Sequence, residues 1–131
     1  TLSYHGAFNT TVGSKSMFAN TTGYYNTALG YEACKSNNTG SGNTSIGYQS
    51  LITNTTGSNN TALGNGADVT SGNLNYATAV GYDSKVASSN SLILGGTGTA
   101  YTYVGIGLTN PTDLLHLQAR TGYDASVKIV A

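Results

Sequence analysis

The chain has 131 residues and zero formal net charge, with 8% charged and 38% hydrophobic residues. That length suits one ordinary domain, and so few charges exclude the highly charged composition of a disordered chain. Nucleic acid and anionic lipid would find no basic footprint, no apolar run approaches the roughly 18 residues of a membrane-spanning helix, and one cysteine cannot form an internal disulfide.

The opening, TLSYHGAFNT, lacks the basic region and apolar core of a signal peptide, so an exported protein is expected to continue beyond this piece or to be in mature form. From Asn9 a phrase then recurs: NTTVG, NTALG, NTSIG, NTALG and ATAVG end at Gly13, Gly30, Gly47, Gly64 and Gly81, 17 residues apart each time. SLILG follows, ending at Gly95 only 14 residues further on. Gly6, Gly23, Gly40 and Gly57 form a second series with the 17-residue interval. A fixed period of this length signals a solenoid.

Aligned repeats give columns. Val12, Leu29, Ile46, Leu63, Val80 and Leu94 are aliphatic throughout, and beside them stand Thr11, Ala28, Ser45, Ala62, Ala79 and Ile93. Thr10, Thr27, Thr44, Thr61 and Thr78 make a third column, and Asn9, Asn26, Asn43 and Asn60 a fourth. The alternation is two-fold, which predicts strands. It leaves open which of two adjacent columns faces inward. We expect the aliphatic column to form the core and the small-residue column to be a flat face that another chain approaches. A second strand-like run is predicted just after each glycine. The glycines imply a positive φ or a wall too close for a Cβ. Identical side chains at one position imply parallel, in-register coils, with Asn and Thr ladders along the stack. Six coils at about 4.8 Å make a rod of roughly 29 Å. Ordering one thin coil costs more than its few buried aliphatics and hydrogen bonds return, so an obligate oligomer is expected.

Beyond Gly95, Pro111 fixes the entry to LLHLQ, and SVKIVA alternates as a further strand after the turn RTGYDA. The sequence therefore divides into a β-roll over residues 1–95 and a β-rich connector over residues 96–131.

At these residues a family resemblance appears. ATAVGYDSKVASSNSLILG (77–95) resembles the 14-residue repeat of YadA-like heads in trimeric autotransporter adhesins, and the likeness extends over roughly residues 9–95. The 17-residue coils differ by a three-residue insertion near Thr53–Thr56. The segment YVGIGLTNPTDLLHLQ (103–118) is similar to the VGIG-x-x-x-P-x-x-x-L-H segment of trimeric fibres, where it often precedes an intramolecular chaperone of the endosialidase type. Such fibres include phage tail fibres and bacterial surface proteins. The resemblance implies an all-β, left-handed parallel β-roll, trimeric, followed by a short β-rich connector and cut from a longer fibre. The function it implies is adhesion in a homotrimeric extracellular fibre, at a cell surface or on a virion. The alternatives are a passive spacer displaying a tip elsewhere and a viral tail-fibre segment.

Catalysis has little to work with. His5 shares a column with Thr22, Thr39 and Thr56, and His116 lies near the opposite end. Glu32, Asp68, Asp83, Asp113 and Asp124 form no paired arrangement. Lys15 and Glu32 share a column, as do Asp68 and Lys85, which predicts weak surface ion pairs. GGTGT (95–99) lacks the Lys and helix of a phosphate loop. No enzyme activity, cofactor or metal is expected. Cys34 shares a column with Met17 and Leu51 and is predicted to be a buried small hydrophobe. Six N-x-S/T sequons, at Asn9, Asn20, Asn37, Asn43, Asn54 and Asn59, follow from the ladders themselves. Ice binding is disfavoured because no T-x-T pair recurs in every coil.

Tyrosine accounts for ten of the twelve aromatic residues and suits recognition. Tyr31, Tyr48 and Tyr82 form a column that is either a recognition surface or a protomer seam. The surplus residues Asn20–Thr22, Asn37–Thr39 and Asn54–Thr56 are expected to bulge outward as a ridge. Tyr24, Tyr25, Asn37, Asn38, Asn54 and Thr55 are the candidate ligand-binding residues, for a glycan or surface protein.

Overall fold

A computed structural model describes residues 6–96 and 102–119. The chain forms two compact units, over residues 1–100 and 101–131. No helix occurs among the described residues.

The first unit is a parallel β-solenoid. Its main sheet contains β1 (Thr10–Val12), β2 (Thr27–Leu29), β3 (Thr44–Ile46), β4 (Thr61–Leu63), β6 (Thr78–Val80) and β8 (Leu92–Leu94), in that order. Each strand pairs with its counterpart one coil on, so Thr27 faces Thr44, Ala28 faces Ser45 and Leu29 faces Ile46. From β6 to β8 the step shortens to Thr78 opposite Leu92, which is the 14-residue coil. The periodicity therefore fixes the register, as identical residues stack on identical residues.

Among the described residues the second strand-like run forms in two coils, as β5 (Asp68–Val69) paired with β7 (Lys85–Val86). In earlier coils the same columns hold Met17, Cys34 and Leu51 at φ of 50°, 52° and 49°. These left-handed residues turn the chain around the roll, so no strand develops there.

The inward column is the reverse of the one expected. Ala28, Ser45, Ala62 and Ala79 are buried, whereas Val12 is 57% exposed and Leu63 45%. The reason is the thinness of the roll. Ser45 Oγ accepts or donates at 2.7 Å to Ser50 Oγ and donates to the Ser50 carbonyl at 2.8 Å, reaching the residues just beyond the corner glycine. Walls this close admit Ala or Ser at the inward position of β2, β3, β4 and β6, and only the 14-residue coil that ends the stack places a larger residue, the half-buried Ile93, there. The larger core residues are Met17, Cys34, Leu51, Val69 and Val86, which pack with the alanines in one cluster. The small column is thus the inner wall of the roll rather than a face for another chain, and the aliphatic column lies outside.

The glycines serve both anticipated purposes. Gly30, Gly47 and Gly64 sit at φ of 136–139°, and a Cβ on any of them would fall deep inside the carbonyl of the next coil's glycine.

The second unit pairs β9 (Val104–Ile106) in parallel with β10 (Leu115–Leu117), with Val104 opposite Leu115. Pro111 lies between them, and LLHLQ supplies β10. The predicted RTGYDA turn and SVKIVA strand lie outside the described residues, as do His5, Asp124 and residues 97–99 of GGTGT.

Candidate ligand-binding surface

The surplus three residues of each long coil divide between inside and outside. Asn37 and Asn54 are buried completely. Asn54 Nδ2 donates to Asn37 Oδ1 at 2.8 Å and to the Gly57 carbonyl at 3.0 Å. Asn37 Nδ2 donates to Asn20 Oδ1 at 3.1 Å and to the Gly40 carbonyl at 2.9 Å. The bulge is therefore anchored from within by an amide ladder, because inward-turning backbone needs polar partners. Asn37 and Asn54 do not face solvent, so neither side chain reaches a ligand on the ridge. Asn38 and Thr55 do lie at the surface. Thr21 Oγ1 donates to Asn38 Oδ1 at 2.6 Å, and Thr55 Oγ1 to the Gly72 carbonyl at 3.1 Å.

Tyr24 and Tyr25 sit two coil positions beyond the ridge and are exposed. They join a partner that sequence reasoning did not single out. Phe8 stacks on Tyr25 with centroids 5.1 Å apart, and Tyr24 meets Tyr25 edge-on at 5.2 Å. The signal was available: Phe8 precedes Tyr25 by one 17-residue period. Tyr31 and Tyr48 stack at 5.5 Å on the other flank of the sheet, after the corner glycine, where Tyr82 is also exposed.

A second Asn ladder runs beside the sheet. Asn43 Oδ1 accepts from Asn60 N at 2.9 Å and its Nδ2 donates to the Gly57 carbonyl at 2.9 Å. The same pair of bonds recurs at Asn9, Asn26 and Asn60. The sequons at Asn9, Asn20, Asn37, Asn43 and Asn54 thus spend their amides on backbone and ladder partners.

The charged residues serve structure. Lys35 Nζ donates to Glu32 Oε1 at 2.8 Å and Gln49 Nε2 to Glu32 Oε2 at 2.9 Å. Lys15 approaches to 3.7 Å. The Lys35 hydrogen bond, then that from Gln49, draws the Glu32 pKa down to about 2. Asp68 stands opposite Lys85 in the β5–β7 pair, as the shared column implied, but not on a solvated face. It is buried, and it accepts from Thr53 Oγ1 at 2.6 Å and Val69 N at 2.8 Å. Burial pushes its pKa up against those bonds. Lys85 turns away to the Gly66 carbonyl at 2.6 Å and Asp83 at 3.1 Å. His116 Nδ1 stands 4.0 Å from Asp113 and accepts from Thr112 N at 3.3 Å. Among the described residues, no three His, Cys, Asp or Glu side chains gather as a metal site would require.

Cys34 is fully buried, and burial pushes its thiol up to about 12. Since the thiolate is the reactive form, a maleimide should label Cys34 only after unfolding. Labelling within minutes of the native protein, followed by mass spectrometry, would contradict the column that places it beside Leu51.

In comparisons with family models, curated proteins and solved structures, none matches this chain.

Proposed function

We propose that the chain is a segment of a homotrimeric extracellular fibre, a left-handed β-roll head with a short connector, that holds to a glycan or protein at a cell surface or as part of a virion. The observation that carries this is the aliphatic column. Val12, Leu29, Leu63 and Leu94 stand outside the roll in one straight line, with Ile46 and Val80 half-buried between them. At about 4.8 Å per coil they make a narrow apolar stripe along the main sheet. Stripes of this kind mark an interface. An identical stripe on a parallel copy matches it coil for coil, and closure about a three-fold axis leaves no stripe uncovered. The interior supports the same reading, because a core made largely of Ala and Ser returns little hydrophobic free energy per coil. The resemblance of residues 77–95 to YadA-like heads points the same way.

A passive spacer is the second reading. It is favoured by the burial of Asn37 and Asn54, which leaves fewer ridge groups for a ligand.

Light scattering on the eluting protein tests the assembly. The expected mass is three times 13.4 kDa. Leu63→Asp places a charge on the stripe and should abolish the trimeric mass. Ala62→Asp buries a charge inside the roll and should abolish the fold itself. A folded wild-type monomer at micromolar concentration would overturn the proposal.

A further inference from the structure

One corner of the roll has the shape and chemistry of a small recognition site. The column before each strand reads Phe8, Tyr25, Gly42, Asn59 and Tyr76, every one in the left-handed region at φ between 55° and 69°. Tyr25 N bonds the Ala7 carbonyl, Gly42 N the Tyr24 carbonyl and Asn59 N the Ser41 carbonyl, so these residues stand directly above one another. Phe8 covers Tyr25 from one side. On the other side the next coil offers Gly42, which has no side chain. The following coil supplies Asn59, whose Oδ1 leans over Gly42 and would lie 2.6 Å from a Cβ built there. The column thus has a one-coil notch, with the Tyr24–Tyr25 pair at one end, a carboxamide at the other and bare backbone as its floor. Tyr25 is 61% exposed.

The charge distribution narrows the ligand. Within residues 6–96 the charged residues are Lys15, Glu32, Lys35, Asp68, Asp83 and Lys85. All of them follow the glycine that ends a main-sheet phrase, none lies in the columns flanking the notch, and the flanking residues are Gly, Ala, Ser, Asn, Thr and Tyr. A neutral corner rewards neither a sialylated nor a sulfated ligand. An aromatic ring beside an amide suits a group that has one apolar C–H face and a rim of hydroxyls. The notch also borders the Thr column of the sheet, whereas the Tyr31–Tyr48 stack borders the aliphatic stripe and would be drawn into an assembly through it.

We infer that the notch of Tyr25, Gly42 and Asn59 is a subsite for a neutral pyranose, its C–H face on Tyr25 and its hydroxyls on the Asn59 carboxamide. This rests on the adhesive reading of the fibre and gives it a ligand class and a place.

Isothermal titration with methyl glycosides and trisaccharides of glucose, galactose, mannose and N-acetylglucosamine tests it, with sialyllactose and a sulfated disaccharide as charged comparisons. At least one neutral sugar should bind. Tyr25→Ala should weaken that sugar about tenfold, while Tyr25→Phe keeps the ring and should stay within about twofold of the wild type. Gly42→Asn should also weaken it about tenfold by filling the notch. The backbone suits Asn, since Asn59 and Asn90 hold the same left-handed conformation in sister coils at φ 59°, and the new Cβ displaces only the movable end of the Asn59 side chain. Melting curves and mass in solution are recorded for each variant, so loss of the fibre assembly is read separately from loss of the sugar. Absence of binding by every neutral sugar overturns the inference, as does equal affinity of Gly42→Asn and wild type, or tighter binding of a charged sugar. A trimer that binds no sugar leaves the fibre standing and removes the subsite; a monomer that binds through Tyr25 does the reverse.

Discussion

Gly47→Ala is expected to prevent folding. Gly47 sits at φ 136°, outside the left-handed region that an L-residue tolerates, and the new Cβ would strike the Gly64 carbonyl carbon at 2.6 Å. Neither partner can retreat. The distance between coils is held by the strand ladder, with Gly47 N bonded to the Leu29 carbonyl and Gly64 N to the Ile46 carbonyl, each at 2.8 Å. A cost on the order of 4 kcal/mol or more follows, larger than an ordinary substitution inflicts. Gly66→Ala is the control. Its φ of 68° is left-handed, and its Cβ would lie 3.3 Å from Asp83 Oδ1, the movable end of an exposed side chain. Lys15, Glu32, Gln49 and Asp83 occupy that column at φ of 50–58°. About 1 kcal/mol is the most it should cost. Urea melts followed by circular dichroism separate the two; a soluble, cooperatively melting Gly47→Ala would refute the close coil contact.

Asn43→Ala should be far more damaging than a change on the exposed ridge. Removing the amide strands the buried Asn60 N, whose bond to Asn43 Oδ1 is 2.9 Å. The Gly57 carbonyl loses one of two donors and keeps Asn54 Nδ2 at 3.0 Å. An orphaned buried donor costs about 1–3 kcal/mol, and the void left by the amide adds to it, so a loss of about 2–4 kcal/mol is expected. Asn38→Ala, on the exposed ridge, should stay within about 0.5 kcal/mol. Matched denaturant titrations of the two variants provide the check. Equal destabilisation would mean that the inner ladder carries no more weight than the surface one.

The two substitutions show how differently a repeated residue can be constrained. Every Gly in the 17-residue series looks alike in a sequence, and so does every Asn-Thr pair. Gly66 lies outside that series, in the column of Lys15, Glu32, Gln49 and Asp83, and it faces a side chain where Gly47 faces the next coil's backbone. Asn37 and Asn38 are neighbours of the same type, yet the first is inside the roll and the second outside. The candidate ridge was legible as surplus chain, since the 14-residue coil shows what closure requires. The division of that chain between ladder and surface was not, because both halves are Asn and Thr. The aromatic corner was half legible: Tyr24 and Tyr25 stand out as a pair, but Phe8 becomes their partner only when coils are stacked.

The period by itself determined the parallel register, the six stacked phrases, the ladders of Asn and the need for glycine at the corners, because in-register stacking places like beside like and any mismatch would recur at every coil. The burial of Cys34 followed from its column with Met17 and Leu51. Only the tertiary structure decided which way the strands face. Thr-Ala-Leu alternates equally well in either sense, and the habit of turning aliphatic residues inward selects the wrong one. Through the 17-residue coils the roll is so thin that its sheet side holds Ala or Ser, as the 2.7 Å approach of Ser45 to Ser50 shows. Leu29, Leu63 and their column mates are therefore left outside, where an isolated chain has nothing to cover them.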